Sequence, residues 1–193
     1  MRRLLLLAFA PALGAAAPAG PDARLREVEA RYAALAAAFG RADADGIIAM
    51  RTADFSAVLP DGVRQDAGYM AEVLRQFFVV NRAPFDVRYT LRCGTFHPDR
   101  ATLVVFQQAE RSQELAGQWR RVASDVTQRE HWRRTPSGWQ LAGVDSIHAP
   151  HRWIDGVPID PTQAYHPDIA PFAPSTVAGP TCEAVLDGEL AAA

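Results

Sequence analysis

Two acidic residues in the second half of the chain have the spacing to do acid–base chemistry. Glu130 and Asp145 lie in two alternating apolar segments that are joined by the turn residues 135–138. The Pro and the Gly in that turn predict a hairpin of antiparallel strands. Because opposed residues of a hairpin share a sheet face, a pairing of Arg134 with Trp139 places both carboxylates on one face.

That face is mostly apolar and has the character of a pocket wall, with Gln128 beside the carboxylates. Carboxylates that share an apolar pocket can hold one proton between them, which supplies an acid or a base near neutral pH. A shifted register, or pairing of the carboxylates with Arg129 or Arg134, would remove this chemistry. The opposite face is expected to meet solvent and carries Asp125, Thr127, Arg129, His131 and Arg133.

Two tyrosines are also expected to point into the protein. Tyr32 lies on the apolar stripe of a helix, and Tyr89 lies on the apolar face of a strand. A buried phenol needs a hydrogen-bond partner, so each hydroxyl either orients a ligand carbonyl or satisfies a core hydrogen bond. The complete set of predicted pocket residues is Tyr32, Tyr89, Gln128, Glu130, Trp132 and Asp145.

Other kinds of chemistry have little support in the sequence. The closest pair of histidines, His148 and His151, is separated by Ala-Pro at a strand end, which does not give the helical spacing of a ligand pair. No carboxylate or cysteine stands at a matching spacing, so no metal site is predicted. The sequence has no Gly-rich phosphate loop and no Gly-x-Ser-x-Gly elbow, and no cofactor is expected.

The composition is that of one globular domain with appendages. The chain has 193 residues, 49% of them hydrophobic, and a formal net charge of -2. This is enough apolar material for a sizeable core. Without a basic excess, neither nucleic acid nor an anionic membrane surface is an expected partner.

The first 19 residues have the features of a secretory signal peptide. Arg2 and Arg3 precede the apolar run 4–13, and Ala17-Pro18-Ala19 gives a small-x-small cleavage pattern before Gly20. The apolar run is much shorter than the roughly 20 residues of a membrane span. We therefore expect a periplasmic or secreted protein that keeps no membrane segment after cleavage.

The two cysteines allow one disulfide in such an oxidising compartment. A bridge between Cys93 and Cys182 would tie the C-terminal region to the sheet. The alternative is that Cys93, which lies on the predicted apolar face of its strand, is a buried free thiol.

Apolar spacing predicts an α+β domain over residues 20–149. The expected helices are 25–39, 44–51 and 68–80, and the expected strands before the hairpin are 54–59, 63–66, 85–93 and 102–111. Residues 112–122 are expected to form a polar connection. A Pro-rich tail without helical or strand periodicity is expected over residues 150–193.

This order of elements resembles the nuclear transport factor 2-like superfamily, which includes SnoaL-like cyclases, ketosteroid isomerases and many domains of unassigned function. The resemblance covers residues 25–148 and rests on the segments RYAALAAAFGRADADGIIAMRTADFSAVLPDG and SGWQLAGVDS. It implies a curved antiparallel sheet wrapped around a long N-terminal helix, with a cone-shaped cavity between them. It also implies a homodimer through the outer sheet face.

The resemblance permits a comparison with the catalytic positions of ketosteroid isomerases. Their Asp base stands just before a proline, and the residue before Pro60 here is Leu59. The place of their catalytic tyrosine falls on Leu35, one helical turn from Tyr32. Because leucine cannot abstract or donate a proton, the isomerase mechanism is not expected.

The first functional hypothesis is an exported, non-catalytic domain that binds a small apolar or carbonyl-containing ligand. The second is a cofactor-free enzyme of the cyclase, isomerase or lyase kind, in which Glu130 and Asp145 do acid–base work. The third is a protein-interaction module that uses the outer sheet face or the Pro-rich tail.

Overall fold

A computed structural model of the protein describes residues 21–159. The predicted signal peptide, Cys182 and most of the predicted tail lie outside the described residues. The helices are α1 (Pro21–Gly40), α2 (Ala44–Ala49) and α3 (Ala67–Val80). The strands are β1 (Arg51–Val58), β2 (Arg64–Asp66), β3 (Asn81–Phe96), β4 (Arg100–Leu115), β5 (Gln118–Thr135), β6 (Gly138–Ile154) and β7 (Val157–Pro158).

The helices form where apolar spacing and capping residues favour them. Helix α1 buries Leu25, Val28, Tyr32 and Leu35, whose three- and four-residue spacing gives one apolar stripe. Helices α2 and α3 begin after aspartates whose side chains accept backbone N–H groups of the first turn.

None of the helices that the structure describes combines the length and apolar character needed to cross a lipid bilayer.

The strands form one seven-stranded sheet in the order β2-β1-β6-β5-β4-β3, with β7 paired to β6. All neighbours are antiparallel except β1 and β6, which are parallel. Helix α1 packs its apolar stripe against the inner face of this sheet, and the two together form the core. The predicted α+β class, with a sheet against the N-terminal helix, is confirmed.

Bulges in the hairpin of β5 and β6 change the direction of the sheet. The pairing shifts between Trp132 and His131, between Arg129 and Thr127, and between Thr127 and Asp125, with the extra residue in β6 each time. Each extra residue bends its strand and increases the local twist. The three bulges lie between Leu141 and His151, so we expect β6 to bend over this part of its length.

The strands are longer than the sequence pattern predicted. The prediction of a polar connection over residues 112–122 is wrong, because β4 reaches Leu115 and β5 begins at Gln118. Ala116 and Gly117 both have positive φ, at 51° and 77°, and form a tight turn of the kind that matches strand twist. The apolar pattern did not predict this extension because its side chains are mostly polar. Glu110 and Arg121, for example, form an ion pair across the two strands.

Regular structure also continues past the predicted start of the tail. Strand β6 runs to Ile154, and β7 follows it directly. Trp153 is buried beside β5, where it pairs with Ala123. The expectation that no strand periodicity survives after residue 149 is therefore wrong for residues 151–158.

Candidate functional site

A buried carboxylate lies at the centre of the inner sheet face. Glu130 on β5 is 2% exposed, and its side chain accepts three hydrogen bonds. The donors are the Tyr32 hydroxyl at 2.7 Å, the Gln128 amide at 2.7 Å and the Trp132 indole N–H at 2.9 Å. The structure thus brings together four of the six predicted pocket residues around one carboxyl group.

Burial and hydrogen bonding act on Glu130 in opposite directions. Burial raises the pKa of its carboxyl group, and the hydrogen bonds from Tyr32, Gln128 and Trp132 partly oppose that shift. The net pKa is above the ordinary value. Burial also raises the pKa of Tyr32 well above its ordinary value, and the negative charge of Glu130 adds to this effect. Tyr32 therefore stays protonated and donates.

A cavity of about 190 Å³ lies between this sheet face and the helices. Its polar side chains come mostly from the sheet, where Tyr89, Gln107, Gln128 and Glu130 line it. The apolar lining includes Leu35, Phe39, Ile47, Phe55, Leu141 and Ile147. Tyr32 and Trp132 are not among the lining residues, and they support Glu130 from behind.

Tyr89 is a buried aromatic residue of the cavity lining. The ring packs 5.0 Å from the ring of Tyr32. Burial raises the pKa of Tyr89, as does the charge of Glu130, whereas Arg51 lowers it. The phenol is therefore protonated near neutral pH, and it stands in the fields of both a carboxylate and a guanidinium.

Sequence reasoning missed two of the polar lining residues, Arg51 and Gln107. Gln107 faces inward because it pairs with Tyr89 on one side and Val126 on the other. The alternation of 102–111 could have indicated this position, but the segment is apolar on both faces at its start. Arg51 was placed at the end of a helix, whereas it is the first residue of β1.

The prediction that Glu130 and Asp145 share a pocket face is wrong. Asp145 pairs with Arg129 in the sheet, and Glu130 pairs with Val144. The bulge in β6 between Leu141 and Gly143 shifts the register by one residue, which moves a side chain to the other face.

On that outer face, Asp145 accepts from Arg129 at 2.6 Å and contacts His131 at 3.1 Å. Burial raises the pKa of Asp145, but the hydrogen bonds from Arg129 and His131 outweigh burial and hold it below the ordinary value. The expected acid–base pair therefore does not form, and Asp145 is the anion of a surface ion pair.

The outer face is less exposed than predicted. Asp125 and Thr127 are buried, and the unexpected extension of β6 places His151 2.9 Å from Asp125. Arg133 remains on the surface and pairs with Asp54 at 3.0 Å. Arg129, His131 and Arg133, which were expected to form a docking face, thus each contact an aspartate of the same chain.

Cys93 also differs from the expected placement. A bulge between Leu91 and Cys93 moves Cys93 opposite Val104, away from the face of Leu91. Cys93 takes part in a disulfide. Since Cys182 lies outside the described residues, the bridge between Cys93 and Cys182 stays a prediction.

Within residues 21–159, no group of three or more His, Cys, Asp or Glu side chains is placed to hold a metal ion.

Comparison with known proteins identifies the fold. Neither a protein-family model nor a curated protein sequence matches the chain. A ketosteroid isomerase-like protein from Erwinia carotovora atroseptica matches in structure with a TM-score of 0.50 at 23% identity, over 72% of this chain and 98% of the other. A nuclear transport factor 2-like superfamily protein from Salmonella enterica matches with a TM-score of 0.52 at 14% identity, over 68% and 94%. This chain has the nuclear transport factor 2-like fold.

A proposed dehydratase of the nuclear transport factor 2-like family from Streptomyces avermitilis also shares this fold. It matches with a TM-score of 0.53 at 17% identity, over 65% of this chain and 96% of the other. The resemblance drawn from the sequence is confirmed at the level of the fold. Because one fold hosts many activities, these likenesses do not assign a reaction.

The cavity of this nuclear transport factor 2-like fold contains both leucines that were compared with isomerase residues. Leu35 and Leu59 are lining residues. At both positions the cavity has an apolar surface, so neither can move a proton. The polar chemistry of the cavity lies instead on the sheet wall.

Proposed function

We propose that this chain is a small-ligand-binding domain whose ligand occupies the cavity beside Glu130. The observation that carries the proposal is a cavity of about 190 Å³ with an apolar lining and a few polar groups on one wall. Binding sites for small molecules combine an apolar lining with a small number of placed polar groups in this way.

The volume limits the size of the ligand. An apolar cavity of roughly 150 Å³ is enough to take benzene, and the cavity here is slightly larger. A single ring or a short chain fits, whereas a four-ring steroid would have to displace lining side chains. The Tyr89 hydroxyl and the Gln107 and Gln128 amides can bind a carbonyl oxygen of such a ligand.

Thermal unfolding and calorimetric titration with single-ring and short-chain carbonyl compounds test the proposal. A ligand that binds only the native state raises the unfolding temperature by an amount that grows with the ratio of its free concentration to its dissociation constant. We expect Glu130→Gln to change the affinity and Asp145→Asn, on the outer face, to leave it unchanged. Absence of binding by every compound to the wild-type protein would contradict the proposal.

A cofactor-free acid–base enzyme is the second candidate, and the raised pKa of Glu130 favours it. A carboxyl group with a raised pKa can act near neutral pH. Against it, three donors already occupy the carboxylate, and the second carboxylate is on the other face. Turnover of a bound ligand that Glu130→Gln abolishes, without loss of binding, would favour the enzyme.

We also propose that the protein acts outside the cytoplasm and dimerises through its outer sheet face. The signal-like sequence before Gly20 supports export, and the resemblance to the superfamily supports dimerisation. N-terminal sequencing of the exported protein is expected to begin at Gly20. Light scattering is expected to give twice the mass of one mature chain. A monomeric mass at micromolar concentration would contradict the proposed dimer.

A further inference from the structure

We propose that the ligand of this cavity is a compact carboxylate, with one ring or a short acyl chain, and that Arg51 binds its anionic group. This inference rests on the proposed small-ligand function and adds the charge of the ligand. It is carried by a half-buried guanidinium that lines an otherwise mostly apolar cavity.

Arg51 uses little of its binding capacity within the protein. Its Nη1 donates to the Met70 carbonyl over 3.4 Å, and its guanidinium lies 4.5 Å from the centroid of the Phe55 ring. Among the described residues it forms no ion pair. A guanidinium has five N–H donors in a planar fork that matches a carboxylate, so most of its donors remain for a ligand.

The surroundings of Arg51 favour an anion over a neutral group. Burial lowers the pKa of the guanidinium below its ordinary value, which means that the charged form lacks part of the solvation it would have in water. A carboxylate replaces that solvation with charge-assisted hydrogen bonds. A neutral amide or alcohol replaces it only in part.

The neighbouring polar groups indicate where the carboxylate lies. Tyr89 lines the same cavity as Arg51, and its raised pKa keeps the hydroxyl protonated, so it can add a second donor to the same anion. Glu130 accepts hydrogen bonds from three side chains and would repel the ligand carboxylate. The carboxylate therefore belongs at Arg51 and Tyr89, and the apolar body belongs against Leu35 and its neighbours.

Matched pairs of probes test the charge directly. Benzoate, phenylacetate and hexanoate are titrated calorimetrically at pH 7 against benzamide, phenylacetamide and hexanamide. We expect at least one carboxylate to bind the wild-type protein about tenfold more tightly than its amide, as a charge-assisted hydrogen bond allows. Amides that bind as tightly as their carboxylates would overturn the inference but keep the small-ligand function.

Variants of Arg51 test the assignment of the anion site. Arg51→Met keeps the length of the side chain and is expected to remove the preference for the carboxylate, whereas Arg51→Lys is expected to keep part of it. Arg75→Met is the matched control, because Arg75 is a surface arginine that pairs with Asp45 at 2.9 Å. A carboxylate preference that survives in Arg51→Met would overturn the assignment.

Two further outcomes are decisive. If neither carboxylates nor amides bind the wild-type protein, the proposed function fails and the inference fails with it. If circular dichroism shows that Arg51→Met does not fold, the wild-type comparison and Arg51→Lys still decide. A wild-type protein without a carboxylate preference, or an Arg51→Lys variant whose preference equals that of the wild type, would overturn the role of Arg51.

Discussion

Glu130 shows how a carboxyl group can be kept in an apolar core. Burial of an unpaired carboxylate is strongly unfavourable, and here three neutral donors converge on the two oxygens. Each donor would itself be costly to leave unpaired in the core. Glu130 and its donors are therefore one unit, and the loss of any member affects the others.

Glu130→Ala is expected to lower the free energy of unfolding more than Glu130→Gln does. Glu130→Ala leaves the hydroxyl of Tyr32 and the indole of Trp132 without an acceptor, so we expect a loss of about 3 kcal/mol in the free energy of unfolding. Glu130→Gln keeps one acceptor for these two donors, and a flip of the Gln128 amide satisfies the new donor. We expect a loss of about 1 kcal/mol, measured by urea denaturation. Equal losses of unfolding free energy in both variants would show that the donors do not depend on an acceptor at position 130.

Glu130 is also expected to contribute a pH-dependent term to stability. Its pKa in the folded protein is raised above the ordinary 4.5, so the native state holds the proton in a range where the unfolded state has released it. The contribution of Glu130 is therefore complete below pH 4.5 and is lost as the pH rises through the folded-state pKa. As the pH rises over that range, the free energy of unfolding of the wild type is expected to fall relative to that of Glu130→Gln. Urea denaturation at a series of pH values measures it, and a constant difference would contradict the raised pKa.

Residue spacing was sufficient to predict one half of the site. Strand β5 pairs with β4 without interruption, so simple alternation correctly placed Gln128, Glu130 and Trp132 on the inner face. Asp145 was misplaced because a bulge in β6 adds one residue, and nothing in the local sequence identifies it. Arg51 was missed because an arginine between a helix and a strand is usually at the surface.

At the scale of the elements, curvature and capping place the cavity walls. The bulges bend β6 across the sheet, and the helices close the cavity on the other side. Helix α3 contributes Met70 to the lining, and its start is fixed by Asp66, whose carboxylate accepts from the Tyr69 N–H at 2.8 Å. One exposed capping residue thus helps to fix the start of the helix that contributes this part of the wall.

Loss of that cap is expected to weaken the whole domain by a modest amount. Asp66→Ala removes the acceptor for the first turn of α3, and we expect the free energy of unfolding to fall by about 1 kcal/mol. Asp66→Ser, which can also cap, is expected to restore most of it. Asp86→Ala is the control, since Asp86 only joins a surface ion pair with Arg88 and should cost well under 1 kcal/mol. Equal effects of the Asp66 and Asp86 changes in urea denaturation would argue against the cap.

At the scale of the whole molecule, the order of helices and strands predicted the α+β class, and the resemblance to the nuclear transport factor 2-like superfamily implied the sheet around the first helix. Two helices, a strand pair, a third helix and a long antiparallel meander leave few arrangements that bury every apolar face. The resemblance also implied a cavity, but its volume could not be predicted, because that volume is the small difference between the space inside the sheet and the side chains that fill it. The lengths of β4 and β5 were underestimated because the ends of these strands form a polar hairpin, which lacks the apolar alternation that predicts a strand.

Filling the cavity without touching its polar wall separates ligand binding from folding. Ala57 on β1 is 2% exposed and lines the cavity, so Ala57→Leu adds apolar atoms to empty space. We expect the free energy of unfolding to stay level or to rise by up to about 1 kcal/mol. The affinity for a single-ring ligand is expected to fall by about tenfold or more, because the added side chain occupies its volume. Ala53→Leu adds the same atoms to an exposed position of β1 and should leave affinity unchanged. If ligand affinity, measured calorimetrically, survives in Ala57→Leu while the fold is intact, the ligand binds elsewhere on the molecule.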